Sequence, residues 1–469
     1  MKKSLPSQAS LVQLRHQAKD LFKEFRAGSQ EAIARFHEHL RRNKPHNGAD
    51  APVRLAHATK SGAVTLSDAQ FVVAREHGFA SWPKLKEHIE ILTSVDSRIQ
   101  KLRAEFAAGD RETKLRLLRP AHSRVRFENY DPDAASLSEA DARLLVANEE
   151  GYAFWSKYDS FLHLDPAVQA VITAVRTGDL AKLREILRSD PSAANPKWIP
   201  GYTPARDPIP NDSIPLFCVS EAVLRRTNRE GNDYELAREL IAAGAEVDAE
   251  GGLPLEGAVS FNAIGATEAL LDGGAAVDGV DGDGVPMAYP IHFGYGAVAE
   301  LLAARGARTD LRFAAGLGRL DAVKNWFNPD GSLRAGAGAL ADPYGFERKL
   351  RGQSPFRCER TRLNILSQAF YFACVNGKLE VADFLLSQGT EINAIVPGLD
   401  VNATVLHRIA IMDAGAEPVV RFLLARGADP SIHDLQYHAT PAGWARFNKR
   451  DAMADLLTAP YRSRLCKRL

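Results

Sequence analysis

Apolar positions in this chain recur on a long period, and that period carries most of what the sequence says. The clearest stretch runs Gln368-Ala369-Phe370-Tyr371-Phe372-Ala373-Cys374-Val375-Asn376-Gly377-Lys378, then Leu379-Glu380-Val381-Ala382-Asp383-Phe384-Leu385-Leu386, then Gly389-Thr390. It predicts a short apolar helix, a turn centred on Gly377, an amphipathic second helix, and a glycine that ends it. A helix pair of this size cannot bury its own apolar face, so copies must stack and leave a long surface along the stack. Related blocks return through the C-terminal half as Val168–Asn195, Ile214–Asp248, Leu253–Asp278, Tyr289–Asp310, Leu311–Phe327, Gln368–Asn393, Thr404–Pro430 and Thr440–Leu457.

The first 164 residues follow a different pattern. Ala69–Trp82 reads AQFVVAREHGFASW and Ala142–Trp155 reads ARLLVANEEGYAFW, an offset of 73 residues. Upstream, Glu24-Phe25-Arg26-Ala27-Gly28 returns as Glu105-Phe106-Ala107-Ala108-Gly109. The pattern predicts a duplicated helical module, with helices closing near Gly28 or Gly109 and near Gly78 or Gly151. Ser67-Asp68 and Glu139-Ala140-Asp141 are the expected cap positions. Trp82 and Trp155 read as wedges that pack the copies.

The repeating blocks resemble ankyrin repeats, whose units carry a Thr-Pro-Leu-His-x-Ala-Ala opening, a central Gly, a Leu-Leu pair and a terminal Gly-Ala. The resemblance covers about two thirds of the chain and implies an all-α fold. The expected organisation is an ankyrin-repeat α-solenoid at 165–460, a helical leader at 1–164 and a basic tail at 461–469. The leader itself resembles a module found ahead of repeats in many bacterial repeat proteins. Tyr289-Pro290-Ile291-His292 is placed at the unit opening, which makes that unit reach Leu301-Leu302 about one turn early. His292 and His407 both fall on the motif histidine in this reading. The resemblance implies that such a histidine bonds across to neighbouring loop backbone.

Two insertions break the period, near 195–211 (NPKWIPGYTPARDPIPN) and near 328–362. Both contain aromatics and arginines, which favours binding over a plain linker. Trp198, Tyr202, Tyr344, Phe346 and Arg348 are therefore candidate contacts. Ankyrin repeats usually bind through residues just before the central Gly and on the hairpin turn. The resemblance carries that role to Val375, Asn376, Met412, Asp413, Phe447 and Asn448, with the turn residues Asp281 and Asp283. The expected function is a cytoplasmic protein-interaction scaffold. The alternative is an enzyme or small-ligand binder whose pocket the insertions form over the unit at 289–302, with Tyr289, His292 and Arg348 converging.

Composition narrows the classes without choosing a partner. The net charge is +1, which gives no general argument for nucleic acid. Residues 1–60 hold 12 Lys/Arg against 5 Asp/Glu, and residues 211–310 hold 6 against 17. That asymmetry could steer a basic partner to the repeats or a polyanion to the head. Cys218, Cys358, Cys374 and Cys466 form no close pair, which fits a reducing compartment and no zinc site. No signal peptide and no 18-residue apolar run is evident. Asp278–Gly284 lacks the spacing of a calcium loop, and His37 and His39 lie on different helix faces. No nucleotide, hydrolase or metalloprotease motif is found, so neither a cofactor nor a metal is expected.

Overall fold

The structure is a computed structural model and describes residues 5, 10–40, 64–117, 136–204, 211–343, 358–395, 402–412 and 415–458. Among these the regular elements are helices, with isolated bridges in place of strands. The chain divides into two compact units, one of residues 1–173 and 186–215 and the other of residues 174–185 and 216–469.

In the first unit the duplication is built around one shared helix. Leu11–Arg26, Gln30–Leu40 and Leu66–Glu76 enclose Leu14, Leu21, Phe25, Phe36, Val72 and Phe79, and the Trp82–Ala108 helix closes this core with Leu85 and Ile89. Further along that same helix, Val95, Ile99, Leu102 and Phe106 open a second core with Leu145, Val146, Tyr152, Tyr158 and Leu162. Phe25 and Phe106, the matched residues of the two copies, are each 1% exposed. Helix starts depart slightly from expectation. Thr65 and Ser138 are the N-caps, and Asp68 and Asp141 answer them from three residues inside. The carboxylates serve the first turn, while the preceding hydroxyls accept the orphan N–H groups.

The second unit is a two-layer stack. First-layer helices, among them Pro215–Arg225, Ala249–Ser260, Val285–Phe293, Leu311–Leu317, Arg362–Val375, Val405–Ala410 and Pro441–Phe447, pack on one another in order from Ala249–Ser260 onward. Their second-layer partners include Asp233–Ala242, Ile264–Asp272, Gly296–Ala304 and Leu379–Ser387. First-layer helices are covered on both sides, so every residue from Ile365 to Val375 is buried. Second-layer helices bury one stripe, as with Val381, Ala382 and Leu385. Close approach within the first layer needs small residues. A Cβ on Gly316 would lie 2.6 Å from Ile291 Cγ2, and one on Gly257 would lie 2.6 Å from Phe217.

The unit at 285–304 corrects the sequence reading. Its first helix begins at Val285, with Pro286 in the first turn, and ends at Gly294 in the left-handed region. Val285-Pro286-Met287-Ala288 is therefore the opening tetrapeptide, and Tyr289-Pro290-Ile291-His292 is the helix body. In this frame Leu301-Leu302 falls at the regular distance and the unit is not shortened. Proline favours the first turn of a helix, so two prolines four residues apart offered two openings. The second was the wrong one.

Candidate partner-binding face

Residues at the ends of three first-layer helices come together. Gly294, at the end of Val285–Phe293, is bordered by Val375 and Met412; a Cβ built there would lie 3.3 Å from Met412 Cε and 3.3 Å from the Val375 carbonyl oxygen. The Asn376 amide donates to the carbonyls of Ile291 (2.7 Å) and Phe372 (2.8 Å). Asn376 thus satisfies a helix-end carbonyl of another unit. Val375 is buried at 5% exposure. Asn376 and Met412 are half-buried. Next along the stack, Phe447 is 72% exposed, and Asn448 donates to the Trp444 carbonyl at 2.9 Å. Asp283 caps the following helix through Val285 N–H, and both it and Asp281 are exposed. Asp413, Tyr344, Phe346 and Arg348 lie outside the described residues.

Tyr289 and His292 belong to an aromatic core. They are 4% and 0% exposed. The His292 ring stacks on Tyr371 at 5.7 Å and meets Phe293 edge-on at 5.0 Å. Burial holds its pKa down to about 3, with nearby Arg408 adding to the effect, so the ring is neutral. His407 keeps the position the sequence assigned. Its Nδ1 meets Thr404 Oγ1 at 2.8 Å and its Nε2 meets the Ala439 carbonyl at 3.1 Å, the expected link to a neighbouring hairpin. Asp434 organises that hairpin by accepting from the N–H groups of Gln436, Tyr437 and Ala439 and from the Trp444 indole. Burial opposes its charge, but these four donors prevail and hold its pKa down to about 2.

The two insertions are anchored differently. Trp198 donates its indole N–H to Ser160 Oγ at 3.0 Å, and Ile199 enters the leader core. Tyr202 stacks on His163 at 4.3 Å and donates to Asp159 at 2.7 Å. The aromatics predicted as partner contacts here are thus committed to the first unit's own helices.

Sequence reasoning missed the anchor of the second insertion altogether. Arg312 is fully buried and donates to Asp310 (2.7 Å), Asp342 (2.9 Å) and Gln368 (2.7 Å), and to the Leu340 carbonyl. Arg360 adds bonds to Asp342 (2.9 Å) and to the Leu340 carbonyl (2.8 Å), while Cys358 N–H meets the other Asp342 oxygen at 3.4 Å. Two guanidinium and two carboxylate groups balance, with the remaining acceptors satisfied, as buried charge requires. A signal was present. Counting back from Gly318 puts Arg312 on the buried histidine position of its unit, where an arginine demands counter-charges.

Among the described residues no group of His, Cys, Asp and Glu is placed to hold a metal ion. No described helix is long and apolar enough to cross a membrane.

A family model, ankyrin repeat, matches residues 402–435. Two solved structures similar to the chain are the ankyrin repeat domain of Bcl-3, described as a unique member of the IkappaB protein family, and the human ASB11 ankyrin repeat domain. The first is 19% identical, covering 61% of this chain and 96% of its own with a TM-score of 0.26. The second is 18% identical, covering 51% and 97%, with a TM-score of 0.23. None of the curated proteins matches the chain. Ankyrin repeats are in general protein–protein interaction modules. The unit at 402–435 is thus an ankyrin repeat, set within a stack of helix pairs.

Proposed function

We propose that this protein is a cytoplasmic scaffold that binds another protein along the concave face, through the ends of its first-layer helices and the hairpins beside them. The observation that carries the reading is the last unit. Of the nine large apolar side chains exposed among the described residues, three (Leu435, Tyr437 and Phe447) fall between 435 and 447. Tyr437 and Trp444 are in ring contact at 6.2 Å, and Phe447 follows Trp444 by three residues on the same helix. Grouped exposed aromatics mark contact sites. Met412 and Asn376 extend the face toward earlier units.

Site-specific photo-crosslinking tests this. Probes at Tyr437 and Phe447 are expected to trap a protein partner in cells, whereas a probe at Arg421, which is exposed on a second-layer helix, traps none. Phe447→Asp should abolish the product while leaving the helical circular-dichroism signal intact. Equal trapping from all three positions would sink the assignment.

A further inference from the structure

His88 lies in the Trp82–Ala108 helix, 3% exposed, on the half that closes the first leader copy. Its ring meets Phe79 at 5.1 Å and His163 at 5.8 Å, the latter edge-on. Its Nε2 has no hydrogen-bond partner among the described residues. A neutral imidazole tolerates this, because one ring nitrogen needs no acceptor. An imidazolium carries two N–H donors and a charge, both costly when buried unpaired.

Among the described residues, no carboxylate offsets that charge. On its own helix Lys84 pairs with Glu87, and Lys86 with Glu90, all on the exposed side. From the Leu66–Glu76 helix and its turn, Glu76 is paired with Arg35 at 2.6 Å, and His77 is another buried base. The Trp155–Leu162 helix and its end contribute Asp159 and His163, and the insertion contributes Tyr202. Of these, His163 is the group whose charge acts on His88, and it acts against protonation.

His163 is also what holds the insertion. Its carbonyl accepts from Ile199 N–H at 2.9 Å, and its ring lies flat on Tyr202. Its Nδ1 is bonded to the Asp159 carbonyl at 2.7 Å, and the Asp159 carboxylate takes the Tyr202 hydroxyl. Asp165 N–H adds a bond to the Lys197 carbonyl at 2.7 Å. One ring therefore stands between a buried base and the 197–202 segment.

We propose that His88 and His163 form a pH-operated latch on the 197–202 segment. While His88 is neutral, the segment stays seated in the leader core. A proton on His88 drives His163 outward, which breaks the Tyr202 stack and the Ile199 bond and frees Trp198 and Tyr202.

The direction of the response follows from linkage. Burial, with His163 adding, lowers the pKa of His88 from 6.5 to about 4. The opened state then takes up a proton that the seated state refuses. Opening grows as pH falls below 6.5 and levels off near 4, and between pH 7 and pH 5 it rises roughly 20-fold.

Hydrogen exchange on the full-length chain reads this directly. After correction for intrinsic rates, the Ile199 and Asp165 amides should open roughly 20-fold more at pH 5 than at pH 7, while amides of the Glu139–Glu149 helix do not. His88→Phe, which can pack on Phe79 and cannot titrate, should remove the difference and keep the protection. If that variant does not fold, a proton titration of His88 by NMR in the unsubstituted chain decides. Ionisation at the ordinary histidine value with Ile199 still protected would overturn the latch. So would equal opening at both pH values, or the same rise in His88→Phe.

Discussion

The two insertions meet one problem, an interruption of the repeat period, and are fastened by opposite chemistries. The stretch at 195–204 is held mainly by rings and single hydrogen bonds, Trp198 on Ser160, Tyr202 on His163 and Asp159, Ile199 in an apolar core, beside a partly exposed Lys197–Asp165 ion pair at 3.4 Å. The stretch at 337–342 and 358–360 is held by two arginines against two aspartates. Aromatic fastening loses a little when any one group is trimmed. An ionic fastening centred on the fully buried Arg312 loses far more with one charge, because the partner is left uncompensated. The first should yield gradually, the second abruptly.

The largest expected effect lies in the second insertion. Asp342→Ala leaves Arg312 and Arg360 one carboxylate short, with Asp310 alone facing Arg312, and should cost about 3–5 kcal/mol. In chemical denaturation of the full chain, the part of the transition that reports the second unit should move, with amides of 337–341 losing protection first. The double replacement Arg312→Met with Asp310→Leu should cost less than Asp342→Ala if charge imbalance is the cause. A double variant worse than the single would mean that shape, not charge, holds the stem. For the first insertion, Trp198→Ala removes a half-buried indole and its bond to Ser160 and should cost about 2–3 kcal/mol, read from the first unit.

The contrast also explains what was legible in the sequence. Repeat architecture was legible because apolar periodicity, central glycines and Leu-Leu pairs recur, and stacked helices need those residues at those spacings. In the first 164 residues the recurring pattern marked two positions, Phe25 and Phe106, that are both buried. Neither fastening was legible, since each joins residues far apart in the chain: Trp198 to Ser160, Arg312 to Asp342 and Gln368. Local pattern carries no record of such pairings. The error at 285–304 came from pattern alone, where Pro290 stood in for Pro286. Within the proposed face, Asn376 ties two units together and Phe447 is exposed, differences of tertiary setting that equal positions in the repeat do not reveal.

A hairpin without an insertion sharpens the comparison. Asp434 answers four N–H donors and, among the described residues, no cation. Asp434→Ala should cost about 2 kcal/mol, confined to the last unit. Its folded pKa lies below the ordinary carboxylate value, so its contribution is complete above about pH 4 and is lost as pH falls through about 2. In Asp434→Asn that acid-dependent part of the last unit's unfolding should vanish. Persistence of the same acid transition would assign it to another group.

The smallest effect tests whether the first insertion depends on ring contact or on its polar tip. Tyr202→Phe keeps the ring that lies 4.3 Å from His163 and deletes only the hydroxyl bonded to Asp159. Asp159 keeps access to solvent, at 31% side-chain exposure, so losing this bond should cost about 1 kcal/mol. Protection of the Ile199 amide should then fall by about fivefold, well short of the loss in Trp198→Ala. A Tyr202→Phe loss as large as that of Trp198→Ala would mean that the Asp159 bond, not the stacked ring, seats the segment. The first insertion would then rest on a charge after all, and the contrast with the Arg312 anchor would become one of degree.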